Sequence, residues 1–127
     1  MVEIINECTQ QSCLARVLLD TGSQSSFVTE NLKGLLCLPT RNSDPIRISG
    51  INNLAFNISE RCTFTLKSRL NSFTCKMQCL IVPQITGMLP SAPVKFEELN
   101  LPENIMLADP DFCNPSETRT PEPRSRI

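Results

Sequence analysis

Histidine is absent from this chain of 127 residues, and tryptophan and tyrosine are absent as well. Without histidine the chain can form neither a Ser-His nor a Cys-His nucleophile pair, and it can form no zinc site that contains histidine. If the chain catalyses a reaction, carboxylate groups are therefore nearly the only side chains left for the chemistry. The length fits one domain with a modest core.

An excess of charge of either sign is also missing. The formal net charge of -1 gives no reason to expect a nucleic-acid partner or an anionic membrane surface. No apolar run approaches the length of a membrane span, and the N-terminus lacks the basic-then-apolar pattern of a secretion signal. We therefore expect an intracellular, cytoplasmic protein without a membrane partner.

Cysteine is abundant, with seven residues, which raises the question of disulfides or a metal site. The odd count and the lack of a secretion signal argue against a full disulfide framework. Cys75 and Cys79 have the spacing of a ligand pair, but their alternating apolar pattern is typical of a strand. A strand would separate their Cα atoms by about 13 Å, whereas two thiolates on one zinc ion lie within about 4 Å of each other. We expect buried free thiols, no metal and no cofactor.

The apolar pattern predicts a mostly β chain with one short helix. Residues 14–19 and 26–28 are predicted strands, and a helix follows from the N-cap Thr29 to just before Pro39. The helix has one apolar face, which consists of Leu32, Leu35 and Leu36. From residue 46 to residue 82 the alternation is that of strands joined by turns. This pattern predicts an all-β fold, a closed and mostly antiparallel barrel with one short helix.

Prolines divide the rest of the chain, because they do not fit a central strand. Residues 83–113 are predicted to be an ordered but irregular excursion with a short helical piece at 96–99. Residues 114–127 are polar and are predicted to be a disordered tail. The expected organisation is an N-terminal segment over 1–13, a domain over 14–113 and that tail.

One aspartate stands where an apolar strand is expected to end, in the run Leu18-Leu19-Asp20-Thr21-Gly22-Ser23. A carboxylate in that place loses solvation unless it has partners. The alternative is an ordinary polar turn, since turns favour these residue types. The apolar flanks on both sides, Val17-Leu18-Leu19 and Phe27-Val28, favour a catalytic carboxylate over a plain turn.

Asp20 could share a proton with a second carboxylate and activate a water molecule. Two carboxylates in contact do not both ionise easily, so the pair supplies a general base and a general acid without histidine or metal. Thr21 carries a hydroxyl that can lock the turn. Gly22 can take unusual dihedral angles and approach another chain closely, and Ser23 can steady the outer carboxylate oxygen.

Several runs occur in collinear order with this loop: residues 16–28, Leu36-Cys37-Leu38-Pro39, Ile48-Ser49-Gly50-Ile51, residues 79–86 and residues 107–112. Together they resemble the retropepsin-like aspartic peptidase domain of Pao (Bel/Pao) LTR retrotransposon polyproteins. The resemblance covers about residues 14–113. It implies a homodimeric aspartic endopeptidase that hydrolyses peptide bonds, in its family those of the parent polyprotein.

The resemblance also implies roles for individual residues. Asp20 matches the catalytic carboxylate, Thr21 matches the residue that braces the two loops of the dimer, and Gly22 and Ser23 complete the loop. The run Ser49-Gly50-Ile51-Asn52-Asn53 matches the tip of the flap that closes over a bound peptide, with a plain hairpin turn as the alternative. The chain has no second Asp-Thr-Gly or Asp-Ser-Gly, so the second carboxylate must come from another copy, and we expect a homodimer that forms through the catalytic loop.

The sequence departs from the family after residue 113. The family continues into an apolar strand that ends in Gly, where this chain has Asn114-Pro115-Ser116-Glu117-Thr118-Arg119. We expect that this C-terminal strand is missing and that the chain is a truncated copy of a retroelement gene. Two alternatives to an active peptidase follow: a catalytically dead module for dimerisation or peptide binding, and a non-functional relic that does not fold stably.

Overall fold

A computed structural model describes residues 1–49 and 55–117 of the chain. Within them, six strands form one sheet and two short strands form a second. The six are β1 (Val2–Ile5), β2 (Ser12–Ala15), β3 (Phe27–Thr29), β4 (Thr40–Ser49), β5 (Ala55–Lys67) and β6 (Thr74–Val82). The two short strands are β7 (Met88–Leu89) and β8 (Ser116–Glu117), and the helical elements are α1 (Glu30–Leu35) and a 3-10 helix over Phe96–Leu99.

The long strand β5 organises the large sheet. It pairs antiparallel with β6 through residues 61–67 on one side. On the other side it pairs antiparallel with β4 through residues 55–62 and with β1 through residues 65–67. The sheet order is β2-β1-β5-β6-β3, with β3 parallel to β6 and β4 off this path. The all-β prediction is confirmed; the sheet is open over the described residues, and its closure into a barrel stays a prediction.

The core lies on both faces of β6. Cys79 and Ile81 pack into one buried cluster with Val28, Leu32 and other apolar residues of the sheet and helix. Leu80 and Val82 pack into a second cluster on the opposite face, because successive side chains of a strand alternate between faces. A strand with both faces covered is apolar without interruption, which explains the run from 79 to 82.

The predicted helix is confirmed, with one correction. Thr29 is the N-cap, and its Oγ1 accepts a hydrogen bond of 3.3 Å from the backbone N–H of Leu32. Leu32 and Leu36 are buried, but Leu35 is 41% exposed and does not belong to the apolar face. A helix of six residues makes fewer than two turns, so its buried stripe has room for few side chains.

Other boundaries also differ from the predictions. The strand expected at 14–19 is β2, which ends at Ala15, and residues 16–20 have no strand partner. The sheet begins at Val2, so the N-terminal segment 1–13 is part of it. In the predicted polar tail, Ser116–Glu117 forms β8 and pairs with β7. The short helical piece predicted at 96–99 is confirmed as a 3-10 helix.

Candidate functional site

The Asp20 loop, residues 16–26, connects β2 to β3 and carries the predicted catalytic residue. The Asp20 carbonyl accepts a hydrogen bond of 3.3 Å from the Ser23 N–H, which closes a tight turn. The Asp20 Oδ1 accepts a hydrogen bond of 2.9 Å from the Gly22 N–H. An aspartate side chain that bonds the backbone two residues ahead commonly starts such a turn. The sequence of the loop therefore fixes one carboxylate oxygen locally.

The expected burial of Asp20 is not found in the single chain. The residue is exposed, because the apolar strand that was expected to lead into it ends earlier and the loop lies at the surface. Its carboxylate therefore keeps its contact with water on the sides that the Gly22 N–H does not occupy. A neighbouring chain would have to supply any desolvation at this position.

Of the two properties predicted for Gly22, the unusual dihedral angles are not found, whereas its close approach to another chain stays a prediction. No glycine among the described residues has a positive φ, so Gly22 does not use the dihedral freedom expected of it. A Cβ atom at this position would lie 3.3 Å from Asp20 Oδ1, closer than ordinary van der Waals contact. The absence of a side chain at Gly22 lets the carboxylate fold back onto the backbone N–H.

Among the described residues, neither the Thr21 hydroxyl nor the Ser23 hydroxyl makes a hydrogen bond to the Asp20 carboxylate. The Ser23 Oγ donates a hydrogen bond of 2.7 Å to the Ser25 carbonyl, so its predicted contact with the outer oxygen of Asp20 is not made. The Thr21 side chain is exposed and makes no hydrogen bond to another described residue. Within one chain, Thr21 is therefore available for a contact with a second loop, the role that the family resemblance implies.

Two large apolar side chains directly before Asp20 in the chain are exposed to solvent. Leu18 is 51% exposed and Leu19 is 88% exposed. Adjacent leucines at such exposure leave apolar surface in water next to the turn, and contiguous apolar surface of this kind is typical of contact sites. Leu18 and Leu19, which the sequence predicted to lie in a strand, are thus on the surface of the chain.

Of the predicted flap, the structure describes Ser49, which is the last residue of β4. Ser49 pairs with Ala55 as the last pair before the connection, and Ser49 is exposed. The other predicted flap residues, Gly50, Ile51, Asn52 and Asn53, lie outside the described residues. The hairpin itself is confirmed by its antiparallel register.

A bulge interrupts that hairpin close to its middle. Asn42 pairs with Glu60 and Ile46 pairs with Ile58, so three residues of β4 oppose one residue of β5. Pro45 lies in the bulge, where the N–H that proline lacks is not needed for the ladder. Bulges bend a strand and increase its twist, so the end of the hairpin is turned relative to its base.

The seven cysteines are free thiols, and the burial predicted for the pair is confirmed for Cys79 and found only in part for Cys75. Cys79 is buried and Cys75 is half-buried. Burial raises the pKa of Cys79 to about 12 and the pKa of Cys13 and of Cys62 to about 11. Over the ranges 1–49 and 55–117, no group of three or more cysteine, aspartate or glutamate side chains is placed to hold a metal ion.

Arg16 is a residue that the sequence reasoning missed. Its Nε atom donates a hydrogen bond of 2.6 Å to Asp109 Oδ2, and the two side chains are 13% and 15% exposed. Besides Asp109, the aspartates outside the Asp20 loop are Asp44 in β4 and Asp111 in the proline-rich excursion over residues 83–113. The sequence signal for this ion pair was the position of Arg16 directly after Ala15. An arginine next to a buried strand residue needs a partner for its charge.

No α-helix in the described part of the chain is long and apolar enough to span a membrane. Comparisons of the chain with protein-family models, with curated proteins and with solved structures gave no match. The functional interpretation therefore depends on the residues of the site and on the family resemblance of the sequence.

Proposed function

We propose that this chain is a homodimeric aspartic endopeptidase of retrotransposon origin, with a retropepsin-like barrel in each protomer. The observation that carries the proposal is the Asp20 turn. Its carboxylate is exposed, is held through one oxygen by the Gly22 N–H, and follows directly after the exposed Leu19. A carboxylate that is ordered but still open to a second chain meets the requirement of a site shared between two copies.

The chemistry follows from pairing two Asp20 carboxylates. Like charges in contact force the pair to hold one proton, so one carboxylate is ionised while the other is protonated. The ionised group takes a proton from water as the water oxygen attacks the scissile carbonyl carbon. The protonated group donates its proton to the carbonyl oxygen. When the C–N bond breaks, the proton taken from water passes to the leaving amine, and one hydroxyl of the tetrahedral intermediate returns its proton to the carboxylate that had donated it, so the pair again holds one proton.

Substrate would bind as an extended peptide under the β4–β5 hairpin. The exposed end of that hairpin at Ser49 is the part of the fold to which the family resemblance assigns the flap. An extended peptide bonds to a hairpin through its main chain, and the side chains then select the sequence. The substrate class is therefore peptide or polyprotein segments without secondary structure of their own.

The test is cleavage of a mixed peptide library at an acidic pH of about 5. Cleavage should be sensitive to pepstatin and should be lost in Asp20→Asn. The matched control is Asp44→Asn, because Asp44 is an exposed aspartate in β4 away from the loop. Turnover that persists in Asp20→Asn would contradict the proposal, as would equal loss in both variants.

A binding module that has lost catalysis is the second candidate. The exposed Leu18 and Leu19 favour it, since apolar surface beside the turn serves dimerisation or peptide binding whether or not Asp20 reacts. In that case Asp20→Asn would leave dimerisation and peptide affinity unchanged, and no cleavage product would form with either protein. Sedimentation of both proteins over a range of concentrations measures dimerisation, and the lack of cleavage by the parent chain separates this outcome from the first candidate, which is also a dimer.

A non-functional relic is the third possibility. Its test is thermal unfolding of the purified chain, because a domain with a packed core unfolds cooperatively. The two buried clusters on the faces of β6 lead us to expect a cooperative transition. A gradual loss of structure without a transition would favour the relic.

A further inference from the structure

Arg16 joins the start of the Asp20 loop to the last part of the described chain. Besides its bond to Asp109, its guanidinium donates to three backbone carbonyls, those of Leu89, Asp111 and Asn114, at 3.0, 2.9 and 3.3 Å. A guanidinium has five N–H groups in a rigid plane, and four hydrogen bonds from one side chain use most of that capacity. Charge-assisted bonds of this type are the stronger ones in proteins.

The segment that Arg16 contacts, residues 83–117, is folded on itself. Its β7 pairs with β8 near its two ends, and the Val94 N–H donates a hydrogen bond of 2.9 Å to the Cys113 carbonyl. The rings of Phe96 and Phe112 lie 6.1 Å apart between centroids. Arg16 bonds to both arms of this folded segment, through Leu89 in one arm and through the residues from 109 to 114 in the other.

The Asp20 loop has two anchors to the rest of the described chain. At its end, the Ser26 carbonyl accepts a hydrogen bond of 2.9 Å from the N–H of Leu80 in β6. At its start, Arg16 holds segment 83–117. Between these two points, the hydrogen bonds of the loop among described residues are made within the loop itself. The position of the turn therefore depends on the hydrogen bond of Ser26 and on the hydrogen bonds of Arg16.

We propose that Arg16 is a positioning residue for Asp20: it holds segment 83–117 against the start of the loop and so fixes where the carboxylate stands. This inference rests on the proposed function for its effect on turnover, but its structural part does not. If Arg16 released the segment, the loop would still continue from β2 at Ala15 and keep its bond at Ser26, but its start would lose the four side-chain hydrogen bonds of Arg16. A loop with fewer contacts samples more conformations, and a small displacement of a reacting group lowers the rate strongly.

A lysine does not replace this arginine fully. An ammonium group is a point charge with three donors and lacks the planar fork that reaches a carboxylate and three carbonyls together. Arg16→Lys should keep the attraction to Asp109 and lose contacts to the carbonyls, so its effect should lie between those of the parent chain and of Arg16→Met.

The experiment measures backbone amide order parameters by NMR in the full chain. In Arg16→Met the order parameters of the Gly22 and Ser23 amides should fall from about 0.85, typical of a rigid backbone, to below about 0.6. Those of β5 and β6 should not change. The control is Arg61→Met, because Arg61 is a half-buried arginine whose Nε donates to Ser43 Oγ at 3.1 Å, away from the loop.

The outcomes separate this inference from the proposed function. A rigid loop in Arg16→Met, or equal loss of order in Arg61→Met, would overturn the positioning role. If Arg16→Met does not fold, Arg16→Lys is measured by the same readout, and order parameters of Gly22 and Ser23 that equal those of the parent chain would overturn the positioning role. Where the parent chain cleaves peptides, kcat should fall about tenfold or more in Arg16→Met with KM within about twofold. A parent chain without activity would end the peptidase proposal and leave the order-parameter test intact.

Discussion

The side-chain amide of Asn6 donates a hydrogen bond of 2.8 Å to the Leu36 carbonyl, across thirty positions of the chain. Its Nδ2 also lies 3.2 Å from the Cys37 carbonyl, and its Oδ1 accepts a hydrogen bond of 2.9 Å from the Cys8 N–H. Asn6 is 1% exposed. The last carbonyls of a helix have no partner within the helix, so Asn6 supplies one from the end of β1 and joins the sheet to α1.

We expect Asn6→Ala to lower the free energy of unfolding by about 2–3 kcal/mol, because the change leaves buried carbonyls without a donor. Urea unfolding followed by circular dichroism measures the difference. The matched control is Asn57→Ala, since Asn57 is exposed in β5 and should change stability by no more than about 0.5 kcal/mol. Equal effects of the two substitutions would show that the bond to Leu36 does not stabilise the fold.

Alkaline pH should weaken the fold through its buried thiols. Burial raises the pKa of Cys13 and of Cys62 from 9.0 to about 11, and the pKa of Cys79 to about 12. Between pH 9 and these values the unfolded chain loses protons that the folded chain keeps, so the free energy of unfolding decreases as pH rises. The slope is at most about 1.4 kcal/mol per pH unit for each thiol.

Chemical unfolding at a series of pH values from about 7 to 10.5 tests this dependence. Stability should be flat with respect to these thiols below pH 9 and should fall above it. Cys62→Ala should reduce the slope, whereas Cys8→Ser should not, because Cys8 is exposed. A stability that is constant from pH 9 to 10.5 in the parent chain would contradict the assignment of neutral buried thiols.

Thiol labelling should divide the cysteines into classes according to their burial. Cys8 and Cys37 are exposed and should react quickly with a maleimide in the folded protein. Cys13, Cys62 and Cys79 are buried and should react only when the chain unfolds. Peptide mass mapping after a short pulse of reagent identifies the labelled positions. Rapid labelling of Cys79 in the native protein would mean that the core around β6 is open to solvent.

Much of the local structure could be predicted from the residues, because local rules determined it. The N-cap at Thr29, the long strand ending at Val82 and the helical turn at 96–99 depend on a few neighbours in sequence. The length of the strand before Asp20 could not be predicted. Val17, Leu18 and Leu19 are apolar and favour a strand, but a strand also needs a neighbour to pair with, and residues 16–20 have none.

The candidate site shows the same division. Asp20 could be identified from its motif, and the bond from the Gly22 N–H is a local consequence of that motif. The partners of Arg16 lie 73 to 98 positions away along the chain. Contacts at such separation depend on how the whole chain folds, so neither spacing nor periodicity reveals them.

A methyl group at Gly22 tests the turn that holds Asp20. In Gly22→Ala the new Cβ would lie 3.3 Å from Asp20 Oδ1, so the carboxylate must move by a few tenths of an ångström. Alanine lowers the conformational entropy of the unfolded chain relative to glycine, which offsets this strain, and we expect the free energy of unfolding to change by less than about 0.5 kcal/mol. The hydrogen bond to the N–H of residue 22 should lengthen, and its amide proton resonance should move upfield.

The control is Gly34→Ala, because nothing lies within 4 Å of the added Cβ in α1, and this change should stabilise the helix by about 0.5–1 kcal/mol. If the chain is a peptidase, Gly22→Ala should lower kcat several-fold while Gly34→Ala leaves it unchanged; an unmoved amide resonance in Gly22→Ala would show that the oxygen of Asp20 is not held by this bond.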